Sequence, residues 1–126
     1  MAVEGLLYTK DHEWARIDAG IATIGITDYA QQMLGELVFV ELPSIGKEFA
    51  GYDELAVVES TKAASDVYSP VAGKVIEVNC KLESQPELIN QDCYNAGWIC
   101  KMQITDMKSI ENLMDSKQYE EYVGGL

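Results

Sequence analysis

Histidine and arginine occur once each, as His12 and Arg16, and 9 Lys plus Arg face 21 Asp plus Glu, a net charge of −12 over 126 residues. A single histidine excludes a His-rich metal site and catalysis by paired histidines. Phosphate binding needs clustered cations to displace counterions, so nine scattered basic residues exclude a nucleic-acid surface. An anionic membrane surface would repel the chain as well. The 3 cysteines, Cys80, Cys93 and Cys100, form no C-x-x-C pair, which indicates neither a zinc knuckle nor a disulfide framework. No apolar run approaches the roughly 20 residues of a membrane span, and the N-terminus carries no basic segment of a leader type. Reduced thiols in a cytosol are expected.

What is present is the composition of a folded domain: 48% hydrophobic and 24% charged residues. One domain over 1–126 is expected, monomeric and kept soluble by dispersed acids. Glu13 to Ile17 and Ile21 to Ile26 flank Asp18-Ala19-Gly20, a three-residue hairpin signal that places Ala22, Ile24 and Ile26 on one face. Thr27-Asp28 offers N-cap side chains, with Gln31 as a capping-box partner of Asp28, for a short helix closed by Gly35. Alternation over 36–42 sets Leu37, Phe39 and Glu41 opposite Val38, Val40 and Leu42. Pro43 to Lys47 and Pro70 to Lys74 share a P-x-x-G-K pattern, a hint of two related β units, with Pro70 to Gly73 read as a turn. Residues 90–95 read as a loop and 98–104 as a strand. Thr105-Asp106 is expected to cap a helix with Ile110, Leu113 and Met114 on one side, and a last amphipathic stretch from Ser116 carries Tyr119, Tyr122 and Val123. The pattern is mainly β, with a short internal helix and C-terminal helices.

The informative segment is the middle. Leu55 to Ser60 and Ala64 to Tyr68 read as strands, and Thr61-Lys62-Ala63 leaves room only for a tight turn. Lys62 therefore stands at a hairpin tip. A lysine in water is a weak nucleophile, which counts against catalysis by Lys62 and suits a modification acceptor that other proteins must reach. His12 has no nucleophile pattern near it and reads as a structural residue beside Trp14.

Val58-Glu59-Ser60-Thr61-Lys62-Ala63-Ala64-Ser65-Asp66-Val67-Tyr68-Ser69-Pro70-Val71-Ala72-Gly73 closely resembles the lipoyl-attachment motif of the glycine cleavage system H-protein family. His12-Glu13-Trp14, Ala22 to Gln31, Phe39 to Pro43, Leu88-Ile89-Asn90 and Gly97-Trp98 resemble segments of that family in the same order. The resemblance implies a lipoyl/biotinyl-type flattened β-barrel, the barrel-sandwich hybrid. It implies lipoic acid in amide linkage to Lys62, with Glu59 and Gly73 at positions that lipoylating enzymes read. Gly73 is expected to permit the turn of the adjacent hairpin. Three positions depart from the family: Thr61 for valine, Cys93 for proline, and Met33 where a polar residue is usual.

The implied function is that of a carrier, not an enzyme, with chemistry supplied by the dithiolane. The aminomethyl intermediate of glycine passes from the pyridoxal-phosphate glycine decarboxylase to the tetrahydrofolate-dependent aminomethyltransferase, and dihydrolipoyl dehydrogenase reoxidises the dithiol. A lipoyl or octanoyl transferase or a lipoate ligase is the implied modifying partner. Asp11, Glu13 and Asp66 are the acids expected to meet the cationic end of the loaded arm in a cleft. Two neighbouring readings compete: a biotin carrier, whose lysine is typically flanked by methionines absent here, and a lipoyl relay to 2-oxoacid dehydrogenases, which needs the same lysine.

Overall fold

The computed structural model describes residues 2–126. Nine strands lie along the chain: β1 (Leu7–Tyr8), β2 (Glu13–Asp18), β3 (Ile21–Ile26), β4 (Leu37–Glu41), β5 (Glu48–Phe49), β6 (Glu54–Ser60), β7 (Ala64–Tyr68), β8 (Ala72–Val78) and β9 (Cys100–Asp106). The helices are α1 (Asp28–Leu34), α2 (Lys81–Ser84), α3 (Leu88–Asp92) and α4 (Ser116–Gly124), with a 3-10 turn at Met107–Ile110. The strands build a six-stranded sheet, β1-β2-β3-β9-β8-β5, and a three-stranded sheet, β4-β6-β7. Every named pairing is antiparallel, and the whole is a mainly β fold of the barrel-sandwich type.

Alternation explains the core. Ala22, Ile24 and Ile26 of β3 are buried as their spacing predicts, and they join Val40, Val58, Val67, Val75 and Met102 from both sheets. A second cluster of Leu6, Tyr8, Trp14 and Tyr119 fastens α4 to β1 and β2. There the Tyr8 and Tyr119 rings stack with centroids 4.5 Å apart. No helix among the described residues is long and apolar enough to cross a membrane.

Several local expectations are corrected. The β2–β3 loop has two residues, not three: Asp18 pairs with Ile21, and Ala19 and Gly20 both take positive φ (52° and 79°), matching the twist of the strands. Of the two offered N-cap residues Thr27 caps α1, accepting from the Ala30 N–H, while the expected Asp28–Gln31 box does not form and the Gln31 amide donates to the Asp28 carboxylate instead. In β4 a bulge between Leu37 and Phe39 breaks the predicted alternation. Leu37 and Val40 therefore both face the core, leaving Val38 and Phe39 51% and 49% exposed.

The P-x-x-G-K segments do meet, but not as equivalent turns. Gly46 (φ 93°) donates its N–H to the Val75 carbonyl, and β5 pairs with β8. Gly73 belongs to β8 itself, so it is a strand residue and not a turn glycine. Residues 90–92 close the short helix α3 rather than forming a loop. Thr105 and Asp106 complete β9, and Asp106 caps only a four-residue 3-10 turn, accepting from the Lys108 N–H. Met114 instead bridges to Tyr8. The final helix α4 forms as read, with an Asp115–Gln118 capping box.

Candidate functional site

The β6–β7 hairpin is built by its own side chains. Ser60 donates its N–H to the Ala63 carbonyl at 2.7 Å, and its Oγ accepts from the N–H groups of Lys62 and Ala63 at 3.3 and 3.1 Å. Ser60 thus sets the turn with one hydroxyl, a signal legible as a serine just before a tight turn. The Thr61 N–H donates to the Glu36 carbonyl at 3.3 Å, hooking the tip to the chain between α1 and β4. Lys62 is exposed at this tip and makes no ion pair among the described residues.

The side chain of Lys62 has room to be extended. It runs over Gly35, where an added Cβ would stand 3.5 Å from Lys62 Cε. The surroundings fit a neutral acyl-lysine: an exposed amine, an unpaired charge, and a neighbour with no side chain. Beside it, β4 begins with Leu37 opposite Ser60, so the exposed Val38 and Phe39 flank the hairpin. Met33 on α1 is also solvent-facing, at 62% exposure, so it adds apolar surface rather than a polar contact.

The acids fall into two groups. Cross-strand register gives one face of the three-stranded sheet the rows Phe39–Glu59–Ala64 and Glu41–Val57–Asp66. Glu59 therefore stands next to an exposed phenylalanine. Near Tyr68, the charges of Asp66, Glu54, Asp11 and Glu13 gather and push its phenol pKa upward, Asp66 most strongly. The three acids expected to meet the arm, Asp11, Glu13 and Asp66, all act on that phenol.

Glu13 differs from that expectation in one respect. It is 1% exposed rather than open, with Oε1 accepting from Thr9 Oγ1 at 2.5 Å and Oε2 accepting from the Tyr68 N–H at 3.2 Å. Burial pushes its pKa up to about 7, against the opposing pull of those two hydrogen bonds. Thr9 and the Tyr68 backbone are partners that no periodicity reveals, because they arrive from β7 and from the loop before β2. Asp11 and Asp66 remain exposed.

Gly73 lies on the other sheet, opposite Phe49 and Ile104. A Cβ there would fall 2.5 Å from the Gln103 carbonyl oxygen, so glycine is demanded by close backbone approach at the irregular start of the β8–β9 ladder. His12 is a packing residue: its ring lies 4.5 Å from Tyr29, and Nδ1 is 2.8 Å from the Tyr119 hydroxyl. Burial lowers its pKa, with Asp11 opposing. All 3 cysteines are free, and burial raises the Cys93 and Cys100 thiols to about 12.

A barrel-sandwich body that presents an exposed lysine at the tip of a self-bonded hairpin is the arrangement of a carrier protein. The comparisons agree and go further. The family model for the glycine cleavage H-protein matches residues 6–125. Glycine cleavage system H proteins of Alkaliphilus oremlandii and Parvibaculum lavamentivorans are 54% and 53% identical, over 95% and 94% of this chain and 94% and 95% of theirs. A crystal structure of the H protein from Mycobacterium marinum superposes with a TM-score of 0.87 at 36% identity, covering 98% of this chain and 99% of that one. The chain belongs to the glycine cleavage H-protein family, a carrier component of the glycine cleavage system.

Proposed function

We propose that this chain, as one carrier domain, bears lipoic acid on Lys62 and shuttles the one-carbon unit of glycine. It carries that unit from the pyridoxal-phosphate decarboxylase to the aminomethyltransferase, and the dithiol then to dihydrolipoyl dehydrogenase. The observation that carries the reading is Lys62 alone at the β6–β7 tip, exposed and lying over Gly35. When bound, the lipoyl dithiolane supplies the group-transfer and redox chemistry; the chain itself is not an enzyme.

The chain's residues hold, aim and protect. Ser60 and the Thr61–Glu36 hydrogen bond fix where the tip points. A lysine plus an acyl chain of that kind reaches on the order of 14 Å, enough for the body to dock outside each active site. Tethering keeps the transferred unit at high effective concentration. Asp11 and Asp66 offer carboxylates to a cationic end, while Glu13 accepts from the Tyr68 N–H and fixes the end of β7. Glu59 and Gly73 are the positions we assign to reading by a lipoyl or octanoyl transferase or a lipoate ligase.

Intact mass with peptide mapping tests the attachment: a lipoyl increment on Lys62 is expected, and a modified lysine elsewhere overturns the reading. Glycine-dependent carbon dioxide exchange with purified decarboxylase then tests the role. Exchange by the lipoylated chain is expected, whereas its absence in verified lipoylated protein favours the relay. Activity of Lys62→Arg in a fully reconstituted cycle overturns both.

A further inference from the structure

The three-stranded sheet ends at β7, and the hairpin register decides which backbone groups face its open edge. Ser60 bonds to Ala63, Val58 stands opposite Ser65, and Ala56 stands opposite Val67. In an antiparallel pair this alternation turns residues 63, 65 and 67 toward β6 and turns Ala64, Asp66 and Tyr68 away from it. Independent bonds fix the same parity. The Ser69 N–H donates inward to the Asp53 carbonyl, the Tyr68 N–H donates outward to Glu13, and on the far side of β6 the Thr61 N–H donates to Glu36.

The open edge is therefore short and bounded. Glu13 closes it at Tyr68, and the Thr61–Ala63 turn closes it at the other end. Between them lie the outward N–H and C=O groups of Ala64 and Asp66, in a stretch whose residues 64–66 are all exposed. Among the described residues their one further hydrogen bond runs from the Ser65 hydroxyl to the Asp66 carbonyl at 3.4 Å. Sheet edges are ordinarily blunted by lysine, proline or a bulge. Residues 64–66 carry no lysine or proline, and the irregularity in the β6–β7 ladder falls at Glu54–Ala56 instead.

We propose that the β7 edge at Ala64–Asp66 is the docking site of the enzyme that acylates Lys62. An extended, basic segment of that enzyme adds beside β7 as a fourth strand. This rests on the reading of Lys62 as the acylated residue. The occupant follows from reach: enzymes that use the finished arm are served from on the order of 14 Å away, but the acylating enzyme meets a bare lysine of roughly 6 Å and must grip the fold beside the turn. Main-chain pairing two residues from Lys62 supplies that grip and fixes the register of the tip. It also distinguishes Lys62 from the other seven lysines. The segment is basic because Asp66 lies on the edge strand itself and Glu54 pairs opposite Tyr68 at its end, and Lys62 is the sole cation between residues 53 and 68.

Amide hydrogen exchange by NMR tests this on full-length Lys62→Arg protein, which cannot be acylated, with and without a lipoate ligase loaded with lipoyl-adenylate. The Ala64 and Asp66 amides are expected to exchange fast in the free protein and at least about tenfold slower in the complex. Ser65 and Val67 stay protected in both. Unchanged exchange at Ala64 and Asp66 in a complex that forms overturns the proposal. So does protection already present in free protein that sediments as a dimer, which gives the edge to a second copy. In parallel, Asp66→Pro removes an outward donor that the β6 ladder does not use, and Asp66→Asn removes only the charge. Lipoylation of Lys62 is expected to slow at least about tenfold in the first and about threefold or less in the second. Equal rates in the two variants overturn the proposal. Failure of wild type to be acylated at Lys62 instead defeats the underlying reading.

Discussion

The Lys62 side chain lies across Gly35, the residue that ends α1 at φ 83° and ψ −158°. Its N–H donates to the Gln31 carbonyl at 3.0 Å, and its own carbonyl accepts from the Asn90 amide at 2.8 Å. The helix end, α3 and the hairpin tip thus converge on a residue without a side chain. That backbone region is reserved for glycine, so Gly35→Ala is expected to cost about 1–3 kcal/mol, read by urea denaturation. A variant as stable as wild type would show that the turn accepts another conformation.

Gly73→Ala should also destabilise, for a different reason. Its φ is not in the left-handed region; the obstacle is the Gln103 carbonyl oxygen 2.5 Å from the new Cβ, and that oxygen is backbone. Relief requires β8 and β9 to separate, at a cost of about 1–3 kcal/mol or more. Urea melts measure it. Because Gly73 is also the assigned recognition position, lipoylation should be assayed well below the melting temperature, where a folded variant separates lost recognition from lost structure.

Glu13 gives stability a defined pH dependence. Its carboxyl is raised to about 7 in the folded state from 4.5. The folded state therefore binds more protons than the unfolded one between those values, so stability falls as pH rises through that window and levels off above it. Glu13→Gln removes this slope. The variant is expected to match wild type near pH 5 and to exceed it at pH 8 by up to about 3 kcal/mol, less whatever the amide loses in hydrogen bonding. Parallel urea melts at the two pH values decide it, and identical differences at both would contradict a raised carboxyl.

Much of this was readable in the chain. The hairpin at Lys62 is set by neighbouring residues, with two alternating runs and three residues between them, so local pattern suffices. The same holds for the core positions of β3 and for α4. Some of what failed was local, such as the length of the β2–β3 loop, but the larger failures depended on partners far away in sequence. Val38 and Phe39 alternate in phase with Leu37 and Val40, and only the pairing with β6 inserts the bulge that turns both outward. A turn and a strand start look alike around Gly73 until β9 approaches it. Glu13 reads as an ordinary strand acid because its burial and the Tyr68 N–H, brought to it from β7, come from tertiary structure. At Lys62 the attachment role came from family resemblance, since position alone yields only an exposed turn lysine.

The acid-rich face around the tip should govern how fast partners are found. Glu41, Glu59 and Asp66 share one face of β4-β6-β7, and acylation removes the charge of Lys62, the one cation at the hairpin tip. Such a face speeds encounter with a basic rim and is screened by salt, because at about 0.15 M the Debye length is only about 8 Å. Association of the lipoylated chain with its decarboxylase, followed by stopped flow, is therefore expected to slow several-fold between low and physiological salt, with dissociation little changed. Replacing Glu41 and Glu59 by Gln should flatten that dependence, while Phe39→Ser should leave the slope intact and speed dissociation, since Phe39 offers apolar contact and no charge. Rates insensitive to salt would assign the net charge of −12 to solubility alone.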